Sequence, residues 1–490
     1  MEHREKGLAL LTDLYQLTMA YGYWKSGRSE QRAIFHLFFR RPPFQGGYAI
    51  AAGLQPALDY LTNLRFETSD IEYLASLVGN DGESLFELEF LDYLASLKFN
   101  CDVSAVPEGT LVFGSEPLMR VDGPILQCQI VETALLNMIN FQTLIATKAA
   151  RVCLAAGDDD VLEFGLRRAQ GVDGGLSASR AAYIGGCAAT SNVLAGKEFG
   201  IPVRGTHAHS WVMSFDSERE AFETYANVMP NNCVFLVDTY DTLNGVRLAV
   251  EFGKQLRAAG KEMIGIRLDS GDLAYLSMEA RKILDEGGFP NAKIVASNDL
   301  NEIVIESLKN QGATISVWGV GTQLATAFDQ PALGGVYKLG ALMNSENEWV
   351  PKIKLSEQIA KTTIPGKLQV RRFFNTRGFE ADMIFDEHDA PSKIENRIID
   401  ARDPTRDRPL SADSQHIDLL QSVIRGGELT AEHEPVEVIR SRAKTELGKL
   451  HSGIKRFLNP HEYPVGLEVG LGRRRNDMIA AARETNSQSE

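Results

Sequence analysis

Apolar and polar positions alternate regularly between Val161 and Leu339. Short runs of β-branched and apolar residues are each followed by a longer stretch whose apolar residues recur at helical spacing. This rhythm predicts consecutive strand and helix units, with helices over Thr242–Gly260 and Leu273–Gly287. The predicted strands are VLEFGLRR (161–168), IPVRGTHA (201–208), NCVFLVDTY (232–240), EMIGIRLDSGD (262–272), AKIVASND (292–299), TISVWGVGT (314–322) and GGVYKL (334–339).

Seven successive strands of this kind favour an α/β fold containing an irregular (β/α)8 TIM-like barrel. A doubly wound sheet would give a similar rhythm. That alternative normally carries a GxGxxG motif after its first strand and one switch point for ligands. Here that motif is absent, and polar residues end nearly every predicted strand. We therefore predict the barrel.

A chain of 490 residues is long enough for two or three domains. We expect an N-terminal α/β domain over residues 1–135, the barrel as the catalytic domain over 136–345, and a small C-terminal domain over 346–490. The first includes the apolar strand AIFHLFF (33–39). The last includes the charged, loop-rich stretch DEHDAPSKIENRIIDARDPTRDRPLSAD (386–413) and closes with helical segments.

Barrel enzymes place their active sites at the C-terminal ends of the strands. In this sequence the most conspicuous strand end is GTHAHS (205–210), where two of only nine histidines lie one residue apart. Histidine is the usual proton, metal or phosphoryl carrier near neutral pH. The residues at the predicted strand ends are Arg167, Arg168, Thr206, His207, His209, Asp238, Arg267, Asp269, Asp272, Ser297, Asn298, Gly319, Gly321 and Thr322.

These residue types suit an anionic, phosphate-bearing substrate and a magnesium ion. Mg²⁺ prefers oxygen ligands, and Asp238 and Asp269 could supply them together with substrate phosphate. Arginine pairs bidentately with phosphate or carboxylate. In WGVGTQLATAF (318–328) the glycines would let backbone N–H groups approach a phosphate, with the Thr322 hydroxyl and the start of a following helix beside it.

Composition narrows the possible partners. The net charge of −14 argues against binding to nucleic acid or to a membrane surface, both of which need a basic face. No apolar run reaches the roughly 20 residues of a membrane span, and the sequence MEHREKG at the start is not typical of a signal peptide. Five scattered cysteines without a CxxC pair indicate buried thiols. We expect a cytoplasmic protein.

Two other functions could use similar residues. A metal-dependent hydrolase barrel also uses an HxH pair, but it needs further histidines on later strands, and none occurs between Ser210 and Glu387. A noncatalytic nucleotide-binding protein would not need the full set of strand-end residues. The acidic run Asp158–Asp160 precedes its strand, so it fits a solvated turn better than a phosphoribosyl diphosphate loop.

Several long motifs in this order resemble the nicotinate phosphoribosyltransferases, a type II phosphoribosyltransferase family. The resemblance covers most of the chain up to about residue 385. The motifs are LLTDLYQLTMAYGYW (10–24), FFRRPPF (38–44), EFGLRRAQGVDGGLSAS (163–179), SNVLAG (191–196), GTHAHSWVMSF (205–215), DTYD (238–241), RLDSGDL (267–273), GVGT (319–322), GGVYKL (334–339), KLSE (354–357) and TIPGK (363–367).

The resemblance implies roles for individual residues. His209 would be phosphorylated transiently, and Asp238 would orient it through a hydrogen bond. The pyridine carboxylate would meet Thr206, Arg267 and Tyr15, and Tyr15 would enter the partner subunit's site in a homodimer with shared active sites. Phe164 would offer a stacking face for the ring. Ribose and phosphate would be bound by Arg167, Ser297, Asn298, Gly319, Gly321 and Thr322.

The resemblance also implies the reaction. Nicotinate and phosphoribosyl diphosphate would give nicotinate mononucleotide and diphosphate for NAD biosynthesis, with ATP as co-substrate, Mg²⁺ as cofactor and His209 as the phosphorylated residue. Asp269 would stabilise the cationic ribose of the transition state. Nicotinamide-using relatives carry an aspartate where this chain has Ser191. A carboxylate there would repel nicotinate, so serine favours the acid.

Overall fold

The computed structural model describes residues 7–356, 362–389, 397–403 and 405–487. Glu357 of the KLSE motif and part of the charged stretch after residue 386 lie outside these ranges. The helices are α1 (Leu14–Lys25), α2 (Leu54–Thr62), α3 (Thr68–Ala75), α4 (Leu88–Ser96), α5 (Ile125–Ile130), α6 (Glu132–Ala156), α7 (Gly171–Ile184), α8 (Val193–Phe199), α9 (His209–Met213), α10 (Glu218–Val228), α11 (Thr242–Ala258), α12 (Leu273–Glu286), α13 (Glu302–Asn310), α14 (Thr322–Ala325), α15 (Val436–Lys449) and α16 (Val469–Ser487).

The strands fall into three larger sheets and one two-stranded sheet. They are β1 (Arg32–Phe39), β2 (Ala49–Ile50), β3 (Asp102–Ala105), β4 (Leu111–Val112), β5 (Met119–Pro124), β6 (Asp160–Glu163), β7 (Ala189–Thr190), β8 (Val234–Leu236), β9 (Gly265–Leu268), β10 (Lys293–Ala296), β11 (Val317–Val320), β12 (Gly335–Met343), β13 (Trp349–Pro351), β14 (Leu368–Asn375), β15 (Gly378–Asp386), β16 (Arg397–Ile399), β17 (Asp407–Pro409), β18 (Gln415–Asp418), β19 (Gln421–Arg425), β20 (Glu428–Leu429) and β21 (Val465–Leu467).

The chain forms two compact units. Unit 1 comprises residues 1–143, 332–434 and 445–490, and unit 2 comprises residues 144–331 and 435–444. The predicted segments 1–135 and 346–490 thus fall largely into one unit, and the predicted three-domain division itself stays a prediction. None of the helices in the described ranges is long and apolar enough to cross a membrane. All five cysteines are free thiols; four are buried, as predicted, and Cys153 is half-buried.

Unit 1 contains two large sheets. One has seven strands in the order β13-β12-β1-β5-β3-β19-β20, and the other has six in the order β17-β16-β21-β15-β14-β18. The charged stretch after residue 386, predicted to be loop-rich, contributes strands β16 and β17, which pair antiparallel. The apolar run 33–39 forms most of β1, as predicted, and is almost entirely buried between its neighbours.

Unit 2 is built on a parallel sheet with the order β7-β6-β11-β10-β9-β8. Five of the seven predicted strands form its members β6, β8, β9, β10 and β11. The two predicted helices match α11 and α12 to within two residues. Apolar β-branched runs are buried on both faces of a parallel sheet, which explains why these strands were visible in the sequence.

The strand pairing gives an open sheet of six parallel strands and not the closed eight-stranded barrel that was predicted. GGVYKL was wrongly placed in the barrel. It forms the start of β12, which pairs antiparallel with β1 in unit 1. IPVRGTHA contributes only a single parallel bridge, Val203 to Thr190 of β7. The short strand β7 was not predicted, because two residues leave no detectable periodicity.

Segment 201–208 nevertheless meets both edges of the parallel sheet. Val203 bridges to β7 at one edge, and His207 accepts a hydrogen bond from the Leu236 N–H of β8 at the other. Four residues span at most about 14 Å. The two edges of the sheet therefore curve toward each other. At the β8 edge, the His207 side chain accepts the hydrogen bond that the backbone of a paired strand would otherwise accept.

Candidate active site

Arg267 is the best-connected side chain at the C-terminal ends of the parallel strands. It lies in β9, and its guanidinium donates to Ser297 Oγ at 2.8 Å and to Thr206 Oγ1 at 3.0 Å. A third bond reaches Asp269 Oδ1 at 2.9 Å. The side chain is 15% exposed, so part of it remains accessible to a ligand. Three strand ends predicted separately from the sequence are thus brought together around one cation.

The ring of Phe164 lies beside this cation. Its centroid is 6.0 Å from Arg267 Cζ. Gly319 of β11 makes room for the ring, because a Cβ at this position would lie 2.8 Å from Phe164 Cδ2. Gly319 was predicted as a phosphate-binding residue, and its observed contact is one of packing. An aromatic face next to a guanidinium suits a planar, negatively charged ligand.

Asp238 and Asp269 lie at the ends of neighbouring strands and are joined directly. The Asp269 N–H donates to Asp238 Oδ2 at 2.8 Å, and Ser270 Oγ donates to the same oxygen at 2.7 Å. Burial raises the pKa of Asp269. The hydrogen bond from Ser297 and the charge of Arg267 outweigh that effect, so the pKa is lowered overall. Asp269 is therefore a carboxylate near neutral pH.

His209 is the first residue of α9 and is 38% exposed through its side chain. Its Nδ1 lies 3.1 Å from Thr239 Oγ1. Its Nε2 lies 3.7 Å from Asp269 Oδ2 and 4.0 Å from Asp238 Oδ1. The predicted hydrogen bond between Asp238 and His209 is not formed, because the nearest carboxylate oxygen, Asp238 Oδ1, lies 4.0 Å from Nε2. The other oxygen, Oδ2, accepts from the Asp269 N–H. The observed partner, Thr239, was not predicted.

His207 has a different role from His209. It is buried, and its ring packs edge-on against Tyr225. Its Nε2 accepts from the Leu236 N–H at 3.2 Å, and its Nδ1 faces the Ala208 carbonyl at 3.4 Å. Burial lowers the pKa of His207 to about 4. Both ring nitrogens are used within the fold, so the two histidines do not form the metal-binding pair of a hydrolase.

Ser191 follows β7 and is held through the backbone. Its N–H donates to the Glu163 carbonyl at 2.9 Å. The Glu163 carboxylate is buried and accepts from Ser179 Oγ at 2.9 Å, from Thr190 Oγ1 at 2.6 Å, and from the Gly165 N–H. Glu163 was not predicted as a site residue. Its only signal was an acidic residue at the end of an apolar strand.

The remaining predicted residues are less well defined. Gly321 precedes α14, which has only four residues, so the predicted helix-terminus contribution to phosphate binding is small. Asn298 has φ +106°, a conformation that is strained for a residue with a side chain and is often found at functional sites. Arg167 is exposed in a 3₁₀ turn. Asp272 caps α12 by accepting from the Tyr275 N–H.

Comparison with known proteins identifies the family. Family models match residues 10–140 as a nicotinate phosphoribosyltransferase N-terminal domain, 160–383 as the nicotinate phosphoribosyltransferase family, and 367–473 as its C-terminal domain. A nicotinate phosphoribosyltransferase of Bacillus subtilis is 45% identical over 476 residues, covering 95% of this chain and 94% of the relative. The chain belongs to the nicotinate phosphoribosyltransferase family.

Solved structures share the fold of this chain. The crystal structure of human nicotinic acid phosphoribosyltransferase matches with a TM-score of 0.81 and 32% identity, covering 95% of this chain and 99% of that one. A nicotinate-nucleotide pyrophosphorylase from Pyrococcus furiosus shares the fold, with a TM-score of 0.69 and 21% identity over 90% of this chain and 96% of that one.

Two further expectations for a nicotinate phosphoribosyltransferase concern Tyr15 and Mg²⁺. Tyr15 lies in unit 1, on α1, and is 48% exposed. Its contact with nicotinate at a shared site stays a prediction. The described residues contain no cluster of three or more His, Cys, Asp or Glu side chains that could hold a metal. Mg²⁺ would have to be held by fewer protein ligands, with water and substrate phosphate completing the shell.

Asp238 and Asp269 fit that requirement. Asp238 Oδ1 is buried and has no hydrogen-bond partner among the described residues. Asp269 directs Oδ2 toward the same imidazole as Asp238 Oδ1. Two carboxylate oxygens thus face one region of the site, which matches the one or two protein carboxylates that Mg²⁺ takes beside phosphate.

Proposed function

We propose that this protein joins nicotinate to phosphoribosyl diphosphate and releases nicotinate mononucleotide and diphosphate, within NAD biosynthesis. The observation that carries the proposal is the Arg267 guanidinium, held by Ser297, Thr206 and Asp269 beside the Phe164 ring. A guanidinium fixed in this way can bind the carboxylate of a flat aromatic acid, while the ring stacks on it. Family membership supports the same reaction.

The chemistry proposed at this site is a displacement at the anomeric carbon. The pyridine nitrogen attacks, the bond to diphosphate breaks, and positive charge develops on the ribose. Asp269 is ionised and can stabilise that charge. Bound Mg²⁺ would neutralise the departing diphosphate, held by Asp238 and Asp269. Arg167, Asn298, Gly321 and Thr322 are proposed to contact ribose and phosphate oxygens, with Ser297 holding Arg267 in place.

The proposal extends to energy coupling. ATP would phosphorylate His209, and the phosphohistidine would favour substrate binding and product formation. His209 supports this role because it is partly exposed and lies beside both carboxylates. The cytoplasmic location, and the homodimer in which Tyr15 completes the partner's site, are proposed on the sequence resemblance alone.

Substrate choice tests the reaction directly. We expect the wild-type kcat/KM to be higher for nicotinate than for nicotinamide. Ser191→Asp should lower kcat/KM for nicotinate by about 100-fold, because placing like charges together costs several kcal/mol. Ser191→Asn is the matched control, since it adds similar volume without charge, and it should cost much less. Higher turnover of nicotinamide by the wild-type enzyme would contradict the proposal.

ATP coupling is tested separately with His209→Ala. This variant should form nicotinate mononucleotide without accompanying ATP hydrolysis, because no imidazole accepts the phosphoryl group. His433→Ala, at an exposed histidine, should couple as the wild type does. If His209→Ala still hydrolysed ATP in step with product formation, the phosphohistidine role would have to be abandoned while the transfer reaction stood.

A further inference from the structure

The Glu163 carboxylate is buried at the end of β6 and joins three segments of unit 2. It is 1% exposed. It accepts from the Gly165 N–H in the turn after β6, from Ser179 Oγ of α7 at 2.9 Å, and from Thr190 Oγ1 of β7 at 2.6 Å. Without this acceptor, three donors would lose their partner, which is costly for groups that are buried.

Alternation along β6 places this carboxylate on the opposite face of the strand from the proposed substrate site. Leu162 packs against buried residues of β8, β10 and β11. Glu163 contacts Ser179 of α7, and Phe164 lies beside Arg267. Successive side chains of a strand point to opposite faces. Glu163 therefore acts on a bound substrate only through its neighbours.

The hydrogen bond from Gly165 fixes the turn that presents Phe164. The Phe164 N–H donates to the Val320 carbonyl at 2.8 Å, and the next N–H along the chain, that of Gly165, donates to the Glu163 carboxylate. Gly165 is also tightly packed, because a Cβ there would lie 2.3 Å from Ala325 Cβ. The peptide groups on both sides of Phe164 are thus held, and with them the direction of its ring.

The hydrogen bond from Thr190 holds the residues around Ser191. Thr190 lies opposite Glu163 in the pairing of β6 and β7. Its hydroxyl donates to the carboxylate and accepts from the Asn192 N–H at 3.0 Å. The Ser191 N–H donates to the Glu163 carbonyl at 2.9 Å. Side chain and backbone of one glutamate therefore position both Phe164 and Ser191.

We propose that Glu163 is a positioning residue for the pyridine ring of the substrate: it fixes the stacking face of Phe164 relative to Ser191 by accepting from the Gly165 N–H and the Thr190 hydroxyl. This inference rests on the proposed function, because it assumes that nicotinate contacts Phe164 and Ser191. A binding wall held by buried hydrogen bonds is already in its bound geometry, so little freedom is lost when the ring binds.

The test measures KM and kcat for nicotinate in four variants. Glu163→Leu removes every acceptor, whereas Glu163→Gln keeps one oxygen for the Gly165 N–H and can donate to the two hydroxyls. Thr190→Val removes one bond to the carboxylate. Thr314→Val is the matched control, because it loses a hydroxyl bond to the Ser277 carbonyl, 2.7 Å long, at the N-terminal end of β11. Circular dichroism checks folding.

We expect KM for nicotinate to rise about 10-fold in Thr190→Val and about 100-fold in Glu163→Leu, with a smaller change in kcat. Glu163→Gln should have a lower KM than Glu163→Leu, and Thr314→Val should keep the wild-type KM. A purely structural role would instead lower kcat with the fraction of folded enzyme and leave KM unchanged.

A wild-type KM in folded Thr190→Val overturns the inference and leaves the transfer reaction standing. The same holds if Glu163→Gln has as high a KM as Glu163→Leu, since charge and not hydrogen bonding would then matter. If Glu163→Leu does not fold, Thr190→Val decides. If the wild-type enzyme makes no nicotinate mononucleotide, the proposed function fails, and this inference with it.

Discussion

At the scale of single residues, Arg267 is held in place by hydrogen-bond partners that are far away in sequence. Thr206 precedes it by 61 residues and Ser297 follows it by 30. Each contact fixes a different nitrogen of the guanidinium, so little rotamer freedom remains to be lost when an anion binds. A lysine has a single nitrogen on a flexible side chain, so it could not make these three hydrogen bonds in the same geometry.

Arg267→Lys should therefore lower kcat/KM for nicotinate by about 10-fold to 100-fold, since hydrogen bonds to charged groups contribute roughly 1.5–3 kcal/mol. Steady-state kinetics measures the change. Arg257→Lys provides the control, because Arg257 pairs with Glu262 on the surface and should leave the kinetics unaltered. Equal kcat/KM for Arg267→Lys and wild type would show that this cation does not bind the substrate.

Arg267, Asp238, Asp269 and His209 were predicted as site residues because polar residues at the ends of apolar strands stand out in the sequence, and the structure places them close together. The hydrogen-bond partner predicted for His209 was Asp238, and the one observed is Thr239. Asp238 and Thr239 are adjacent, and only the direction of each side chain in the folded turn decides which of them reaches the ring. Sequence spacing carries no information about that direction.

At the scale of secondary-structure elements, the site depends on how closely β6 and β11 approach. These strands pair in parallel, with Gly319 opposite Leu162 and Val320 opposite Glu163. Phe164 follows directly, and its N–H donates to the Val320 carbonyl at 2.8 Å. The absence of a side chain at Gly319 lets the Phe164 ring lie over the end of β11.

Gly319→Ala should displace the Phe164 ring, because the added Cβ would lie 2.8 Å from its Cδ2. We expect a higher KM for nicotinate, with a smaller effect on kcat, since the ring is proposed to bind substrate without taking part in bond breaking. Gly174→Ala, on helix α7 and with no close neighbour, should leave KM unchanged and should stabilise the helix by up to about 1 kcal/mol. An unaltered KM for Gly319→Ala would remove Phe164 from the binding site.

Elements were predictable where local pattern and burial agree. The strands of unit 2 are buried on both faces, and helices α11 and α12 begin at Asp241 and Asp272 caps, a strong local signal. Strand β12 was assigned to the wrong sheet because a buried apolar strand has the same composition in parallel and antiparallel pairing. Its partner, β1, lies about 300 residues away in sequence.

At the scale of the whole molecule, each unit contains a buried neutral histidine that accepts a backbone N–H. His36 in unit 1 accepts from Leu368 at 3.1 Å, and burial lowers its pKa to about 3. His207 in unit 2 accepts from Leu236, with its pKa lowered by burial to about 4. The ordinary pKa of both is 6.5. As the pH falls, the unfolded chain therefore takes up protons on these histidines at a higher pH than the folded protein does.

The stability from these histidines should be fully present above pH 6.5 and should fall as the pH drops toward 4. Between pH 7 and pH 5, each histidine should lower the free energy of unfolding by roughly 2 kcal/mol. Denaturant unfolding at several pH values measures this. His36→Gln and His207→Gln should each flatten the slope, and His433→Gln, at an exposed site, should leave it unchanged. A stability that stays constant in both glutamine variants and wild type from pH 7 to 5 would contradict the assignment.

The sequence by itself determined the α/β character, the helices and strands with strong local patterns, and the chemical types gathered at strand ends, because periodicity, capping and residue chemistry are local properties. Its motifs also indicated the family. Only the tertiary structure decided the sheet to which β12 belongs, the placing of His207 against the edge of β8 and the pairing of Thr239 with His209. Those outcomes depend on contacts between distant segments and on the direction of individual side chains, which no local pattern encodes.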